Sequence, residues 1–168
     1  MRLTRRDFLT TSAAAASLSI AVPAVLRGDE KRAYKTAIIG TGWWGMNILR
    51  EAIKAGQSKV VAMCDVDQRQ LDPAATEVEK MTGVTPKKYR DFRDLLDKEK
   101  PEIVIVATPD HWHPLQTIAA VQAGAHVYVE KPISHTIKEG RAMVQAARAA
   151  GRVVQVGTHR RVSPHNVA

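Results

Sequence analysis

The chain has 168 residues, 45% apolar and 25% charged, with a formal net charge of +8 and one cysteine, Cys64. These proportions exclude a disordered, collagen-like or multi-span membrane chain, and a lone cysteine excludes an internal disulfide and a cysteine-rich zinc site. Within the first 24 residues lie Arg2, Arg5, Arg6 and Asp7, which leaves 22 positive against 16 negative charges on the other 144. That modest excess, aromatics at only 5%, and Lys87, Lys88, Arg90 and Arg93 interleaved with Asp91 and Asp94 predict a mixed-charge solvated surface and no nucleic-acid partner.

Thr4-Arg5-Arg6-Asp7-Phe8-Leu9 sets an arginine pair before an alanine-rich apolar run from Leu9 to Leu26, which resembles a twin-arginine export signal. Thr10, Thr11, Ser12, Ser17, Ser19 and Pro23 weaken the run, so a removable leader fits better than a stable membrane span. An uncleaved anchor or an amphipathic surface helix is the alternative. The small residues of Val22-Pro23-Ala24 suggest cleavage after Ala24. The expectation is a signal over 1–24, a connector over 25–34, passage through the twin-arginine machinery, and a periplasmic or exported product.

Beyond the connector, β-rich runs alternate with helical periodicity. The pattern predicts a strand at Thr36 to Ile39, then a helix through Met46, Leu49 and Ile53 stopped by Gly56. Val60 to Cys64 is the second strand. Asp72-Pro73 gives a cap-plus-first-turn signal in a helix ending near Gly83, followed by a weak strand at Lys88 to Arg90 and a short helix from Phe92. The unbroken apolar run Ile103 to Ala107 predicts a strand covered on both faces. His113-Pro114 opens a helix with Leu115, Ile118 and Ala119 on one side, stopped at Gly124, and His126 to Glu130 is the next strand. Thr136 and Glu139 form a capping-box pair for a helix to Ala150, closed by Gly151, and Val153 to Val156 is the sixth strand. Strict β/α alternation forces parallel strands and right-handed crossovers, hence an α/β doubly wound Rossmann sheet in the order 3-2-1-4-5-6 over residues 35–157.

Ligands bind such sheets at the carboxyl ends of the strands. Gly40-Thr41-Gly42-Trp43-Trp44-Gly45 lies there, between strand and helix. Gly40 permits the turn, Gly42 lets backbone approach a pyrophosphate, and Gly45 lets helix and strand pack closely; a glycine-rich turn with no ligand is the alternative. Asp65 ends the second strand where a carboxylate accepts from ribose hydroxyls. That favours NAD, although Arg69 is close enough to offer a 2′-phosphate a countercharge for NADP. Trp43 and Trp44 are expected to cover the cofactor or a facing domain.

Thr108-Pro109-Asp110-His111-Trp112-His113 follows the fourth strand. Asp110, His111 and His113 suggest metal ligands, but capping and contact with nicotinamide or its ribose fit the location better, and no metal is expected. Lys131, in Glu130-Lys131-Pro132 after the fifth strand, is placed to hold a substrate hydroxyl and assist its deprotonation as hydride leaves the same carbon; a Glu130–Lys131 surface salt bridge is the alternative. Cys64 reads as a buried strand residue.

These motifs, followed by Val156-Gly157-Thr158-His159-Arg160-Arg161, resemble in order and spacing the N-terminal half of the Gfo/Idh/MocA oxidoreductases, over about Lys35 to Arg161. The resemblance implies an NAD(P)-binding Rossmann domain, hydride transfer with a sugar, cyclitol or polyol, and Lys131 as the catalytic lysine. It also implies that Gly40, Gly42, Gly45, Asp65, Pro109, His113 and Glu130 line the cofactor. Family members continue into a second α/β domain that supplies further catalytic residues and the oligomer interface. Residues 158–168 therefore read as the start of a link to such a domain, and the chain as a fragment, inactive alone, of a homo-oligomeric enzyme. Two other readings stand beside this one: an NAD-dependent glycosidase acting by transient oxidation and elimination, and a nucleotide-binding module without turnover.

Overall fold

A computed structural model describes residues 32–161. The expected leader, most of the connector and the segment after 161 lie outside the described residues. In chain order the elements are β1 (Tyr34–Ile39), α1 (Trp43–Lys54), β2 (Ser58–Cys64), α2 (Gln68–Thr82), β3 (Lys87–Tyr89) and α3 (Phe92–Glu99). Then come β4 (Ile103–Val106), a 3-10 turn (Asp110–Trp112), α4 (His113–Gln122), β5 (His126–Val129), α5 (Ile137–Ala150), β6 (Val154–Val156) and a second 3-10 turn (His159–Arg161). The six strands form one parallel sheet in the order β3-β2-β1-β4-β5-β6, as the alternation predicts.

Successive strand residues point to opposite faces, so one strand feeds two cores. Ile38, Met63 and Ile105 join Met46 and Leu49 of α1 and Leu71 and Val78 of α2 on one face. Ala37, Ile39, Val104 and Val106 join Leu95 of α3, Val121 of α4 and Met143 of α5 on the other. Each fully buried aliphatic side chain contributes roughly 1.5–3 kcal/mol, so these two layers carry the fold. Among the described residues no helix is long and apolar enough to cross a membrane.

Two local expectations are corrected. The cap of α2 is Asp67, whose side chain accepts from the Arg69 N–H, and Pro73 sits inside the helix. Asp72 is instead bonded to Gln68 and Lys88, each at 2.6 Å. In α4 the buried face is Gln116, Thr117, Ala120 and Val121, while Leu115 is 58% exposed. Two polar side chains take inward positions there, one of them because Gln116 Oε1 accepts the Thr108 hydroxyl at 2.6 Å. The capping box of α5 forms as read, with Glu139 N–H on Thr136 Oγ1 at 3.2 Å and Thr136 N–H on Glu139 Oε2 at 2.9 Å.

Candidate functional site

The three motif glycines do different work. Gly40 has φ +95°, and a Cβ there would stand 2.7 Å from the backbone of Ala107 and Thr108, so no other residue fits. A Cβ on Gly45 would stand 2.1 Å from the Gly40 carbonyl oxygen, the contact that seats α1 on the sheet. Around Gly42, by contrast, no heavy atom lies within 4 Å of the corresponding position.

Gly42 is also the N-cap of α1. It has no side chain to cap the helix, and the first turn holds no acid. Side chains cap α2, α3 and α5 through Asp67, Asp91 and Thr136. The head of α1 therefore presents uncapped amides and the positive end of its dipole beside open space, an arrangement suited to an anion.

That space belongs to a cleft of about 640 Å³ at the carboxyl edge of the sheet, bordered by Asp65, Arg90, Thr108, Pro109, Trp112 and Trp44. Thr41, 2% exposed, gives both of its donors to Asp65: the backbone N–H reaches Oδ2 at 2.7 Å and the hydroxyl reaches it at 3.0 Å. Asp65 Oδ1 accepts the Asp67 N–H at 3.0 Å. A carboxylate has about four lone-pair positions, so one remains, on Oδ1, for a ligand hydroxyl. Thr41 thus orients Asp65 rather than facing the cleft.

Arg69 does not face the cleft either. Its guanidinium is paired with Asp67 at 3.1 and 3.0 Å. Arg90, just after β3, does border the cleft, and among the described residues its one hydrogen bond is to the Val66 carbonyl, at 3.4 Å. The sequence reading missed it, although the order β3-β2 puts its position next to Asp65. Cys64 borders the same cleft, and burial, with the nearby Asp65 charge, pushes its thiol up to about 12. It stays protonated and unreactive.

A second cleft, about 720 Å³, is bordered by Trp43, Trp44, Lys131, Thr158, His159 and Arg161. Trp44 borders both clefts. Its ring lies 5.3 Å from that of Trp43, and its buried Nε1 has no hydrogen-bond partner among the described residues.

Lys131 and Glu130 do not form a side-chain salt bridge. Glu130 is 3% exposed, accepts the Lys131 backbone N–H on Oε2 at 3.1 Å, and accepts the Tyr128 hydroxyl on Oε1 at 3.2 Å. Burial and the Glu130 charge push the Tyr128 phenol up to about 12, which keeps it a donor. A Cβ on Gly157 would stand 2.2 Å from Glu130 Oε1, so the glycine after β6 makes room for the carboxylate, a role visible only once β5 and β6 are neighbours. Glu130 therefore shapes the Lys131 turn from behind the cleft. Among the described residues the Lys131 ammonium has no bonded partner.

His113 is 1% exposed, with Nδ1 2.7 Å from the Pro132 carbonyl and Nε2 2.8 Å from the Thr108 carbonyl. It ties the loop after β4 to the loop after β5 and borders neither cleft. The inward ring also separates it from Asp110 and His111.

A family model described as an oxidoreductase family with an NAD-binding Rossmann fold (GFO_IDH_MocA) matches residues 34–158. The chain is 36% identical over 143 residues to a glycosyl hydrolase family 109 protein of Stenotrophomonas maltophilia, covering 80% of the chain and 31% of that protein. It is 32% identical over 133 residues to an inositol 2-dehydrogenase of Salmonella paratyphi B, covering 76% of the chain and 37% of the relative. It resembles, at a TM-score of 0.71 and 27% identity, the crystal structure of scyllo-inositol dehydrogenase from Lactobacillus casei with bound NAD(H) and scyllo-inositol, covering 79% of the chain and 38% of that structure. The chain spans about a third of the length of these curated relatives.

Proposed function

The chain belongs to the Gfo/Idh/MocA oxidoreductase family through its NAD-binding Rossmann domain, and from that premise we propose that it is the cofactor-holding part of an enzyme that oxidises a carbinol carbon of a sugar, cyclitol or related polyol. One observation carries this reading: Trp44 borders both the glycine-bearing cleft and the cleft that holds Lys131. A cofactor site and an unpaired lysine thus share a wall.

The residues fit a dinucleotide. The open position at Gly42 and the uncapped head of α1 would hold a pyrophosphate, and the remaining acceptor on Asp65 would take a ribose hydroxyl. Thr108, Pro109 and Trp44 would wall the other end of the cleft. NAD, when bound, supplies the two-electron hydride acceptor. Lys131 would hold the substrate hydroxyl oxygen at Nζ and assist the loss of its proton. Glu130 and His113 keep the Lys131 turn in register with the loop after β4.

The test is to add a polyol panel and NAD to the enzyme at its complete natural length and follow nicotinamide absorbance. Reduction with at least one polyol is expected. No reduction with any would leave a nucleotide-binding module. A second reading, glycoside cleavage by transient oxidation and elimination, is favoured by the 36% identical glycosyl hydrolase family 109 protein. Release of an aryl leaving group that requires NAD without net nicotinamide reduction would select it.

Export belongs to the proposal too, on the strength of Arg5-Arg6 and the apolar run after them. Replacing both arginines by lysine should leave the protein in the cytoplasmic fraction; unchanged fractionation would overturn that part.

A further inference from the structure

The Asp110–Trp112 turn and the loop before α5 meet at a cluster that the hydride-transfer reading does not use. His135 Nε2 lies 2.8 Å from Asp110 Oδ1, and His111 Nδ1 lies 3.9 Å from the same oxygen. One ligand atom from each of Asp110, His111 and His135 lies within 4.8 Å of the others. Asp110 and His111 were the sequence candidates for metal ligation. The third member is His135, brought across from the neighbouring loop, because His113 turns inward between the Thr108 and Pro132 carbonyls.

We infer that Asp110, His111 and His135 form a binding site for a divalent first-row transition ion such as Zn²⁺ or Co²⁺. Two imidazoles and one carboxylate are the donors such ions take. With bonds of roughly 2.1 Å, tetrahedral ligands stand about 3.4 Å apart, so closing the cluster on an ion asks only for side-chain adjustment. The two imidazoles have that freedom, with side chains 57% and 53% exposed.

One further feature supports the site. The backbone N–H of His135 is fixed by Glu139 Oε2 at 3.1 Å, as part of the α5 cap, which anchors the loop that carries the ligand. Three protein ligands leave at least one coordination position for water or another oxygen, unlike a closed structural site.

The experiment is a calorimetric titration of Zn²⁺ into chelator-stripped, tag-free protein at its natural length, paralleled by the visible spectrum on adding Co²⁺. One ion per chain and a Co²⁺ spectrum with nitrogen and oxygen donors are expected. His111→Ala and His135→Ala should each weaken binding roughly tenfold or more, with circular dichroism and NAD affinity unchanged. Should an alanine variant lose its native dichroism, His111→Gln and His135→Gln serve instead. Absence of saturable binding, or binding that survives both histidine substitutions, would overturn the site. The readouts are independent of turnover, so failure here leaves the hydride-transfer reading standing.

Discussion

Thr41 and Asp65 are joined twice through one oxygen: the Thr41 N–H and hydroxyl both end on Asp65 Oδ2, at 2.7 and 3.0 Å. The glycine-rich turn after β1 is thereby fixed to the end of β2, and the carboxylate is held with one acceptor position left. A ribose 2′-phosphate brought to that position would meet a negative charge. Asp65→Ala should weaken NAD about tenfold while changing NADP much less, measured by titration of both cofactors. An unchanged ratio would remove the ribose assignment. Arg90→Ala is the complementary variant, expected to lower NADP affinity alone.

The contrast among the glycines gives a second prediction. Gly42→Ala adds a methyl group to open space, so the free protein should keep its stability while NAD affinity falls roughly tenfold or more, read from quenching of Trp43 and Trp44 fluorescence. Gly45→Ala drives a methyl group into the Gly40 carbonyl and should destabilise the fold by about 1–3 kcal/mol or more in urea unfolding. If both variants lost stability alike, the space at Gly42 would be a packing requirement and not a ligand's.

These variants also mark what could be read from the residues alone. Element order and sheet topology follow from periodicity and β/α alternation, which are local signals. The capping box at Thr136 and Glu139 is likewise written within four residues. His135 beside Asp110, Arg90 beside Asp65 and Gly157 beneath Glu130 depend on which strand ends become neighbours, and no local pattern records that. Asp72 lies inside α2 and does not cap it. Only Asp67 has the extended backbone, φ −95° and ψ 108°, that lets its side chain reach the Arg69 N–H.

At Lys131 the geometry separates chemistry from binding. Its ammonium is not tied to Glu130, and the residue borders the second cleft rather than the glycine-bearing one. In the enzyme at its natural length, Lys131→Ala should lower kcat by on the order of 10²–10⁴ and leave NAD affinity within about twofold. Glu130 meets Lys131 through its backbone N–H and not its ammonium, so the effect of Glu130→Gln on kcat should be smaller. Equal losses of kcat and NAD affinity in Lys131→Ala would make Lys131 a cofactor-binding residue.

The last prediction concerns the scaffold under the glycine turn. Arg50 of α1 grips Glu77 of α2 with two bonds, Nε to Oε1 at 2.6 Å and a terminal nitrogen to Oε2 at 2.9 Å. The Arg50 hydrogen bond holds the Glu77 carboxyl below its ordinary value of 4.5. A folded-state pKa below the unfolded one means the pair's contribution is complete above pH 4.5 and is lost as pH falls through the lower, folded value. With the two side chains 35% and 37% exposed, solvent screening limits that contribution to about 1 kcal/mol or less. Glu77→Gln should therefore be less stable than the parent at pH 7 in urea, with the gap closing in strong acid. A gap of equal size at both pH values would show that Glu77 stabilises through packing and neutral hydrogen bonding, not through its charge.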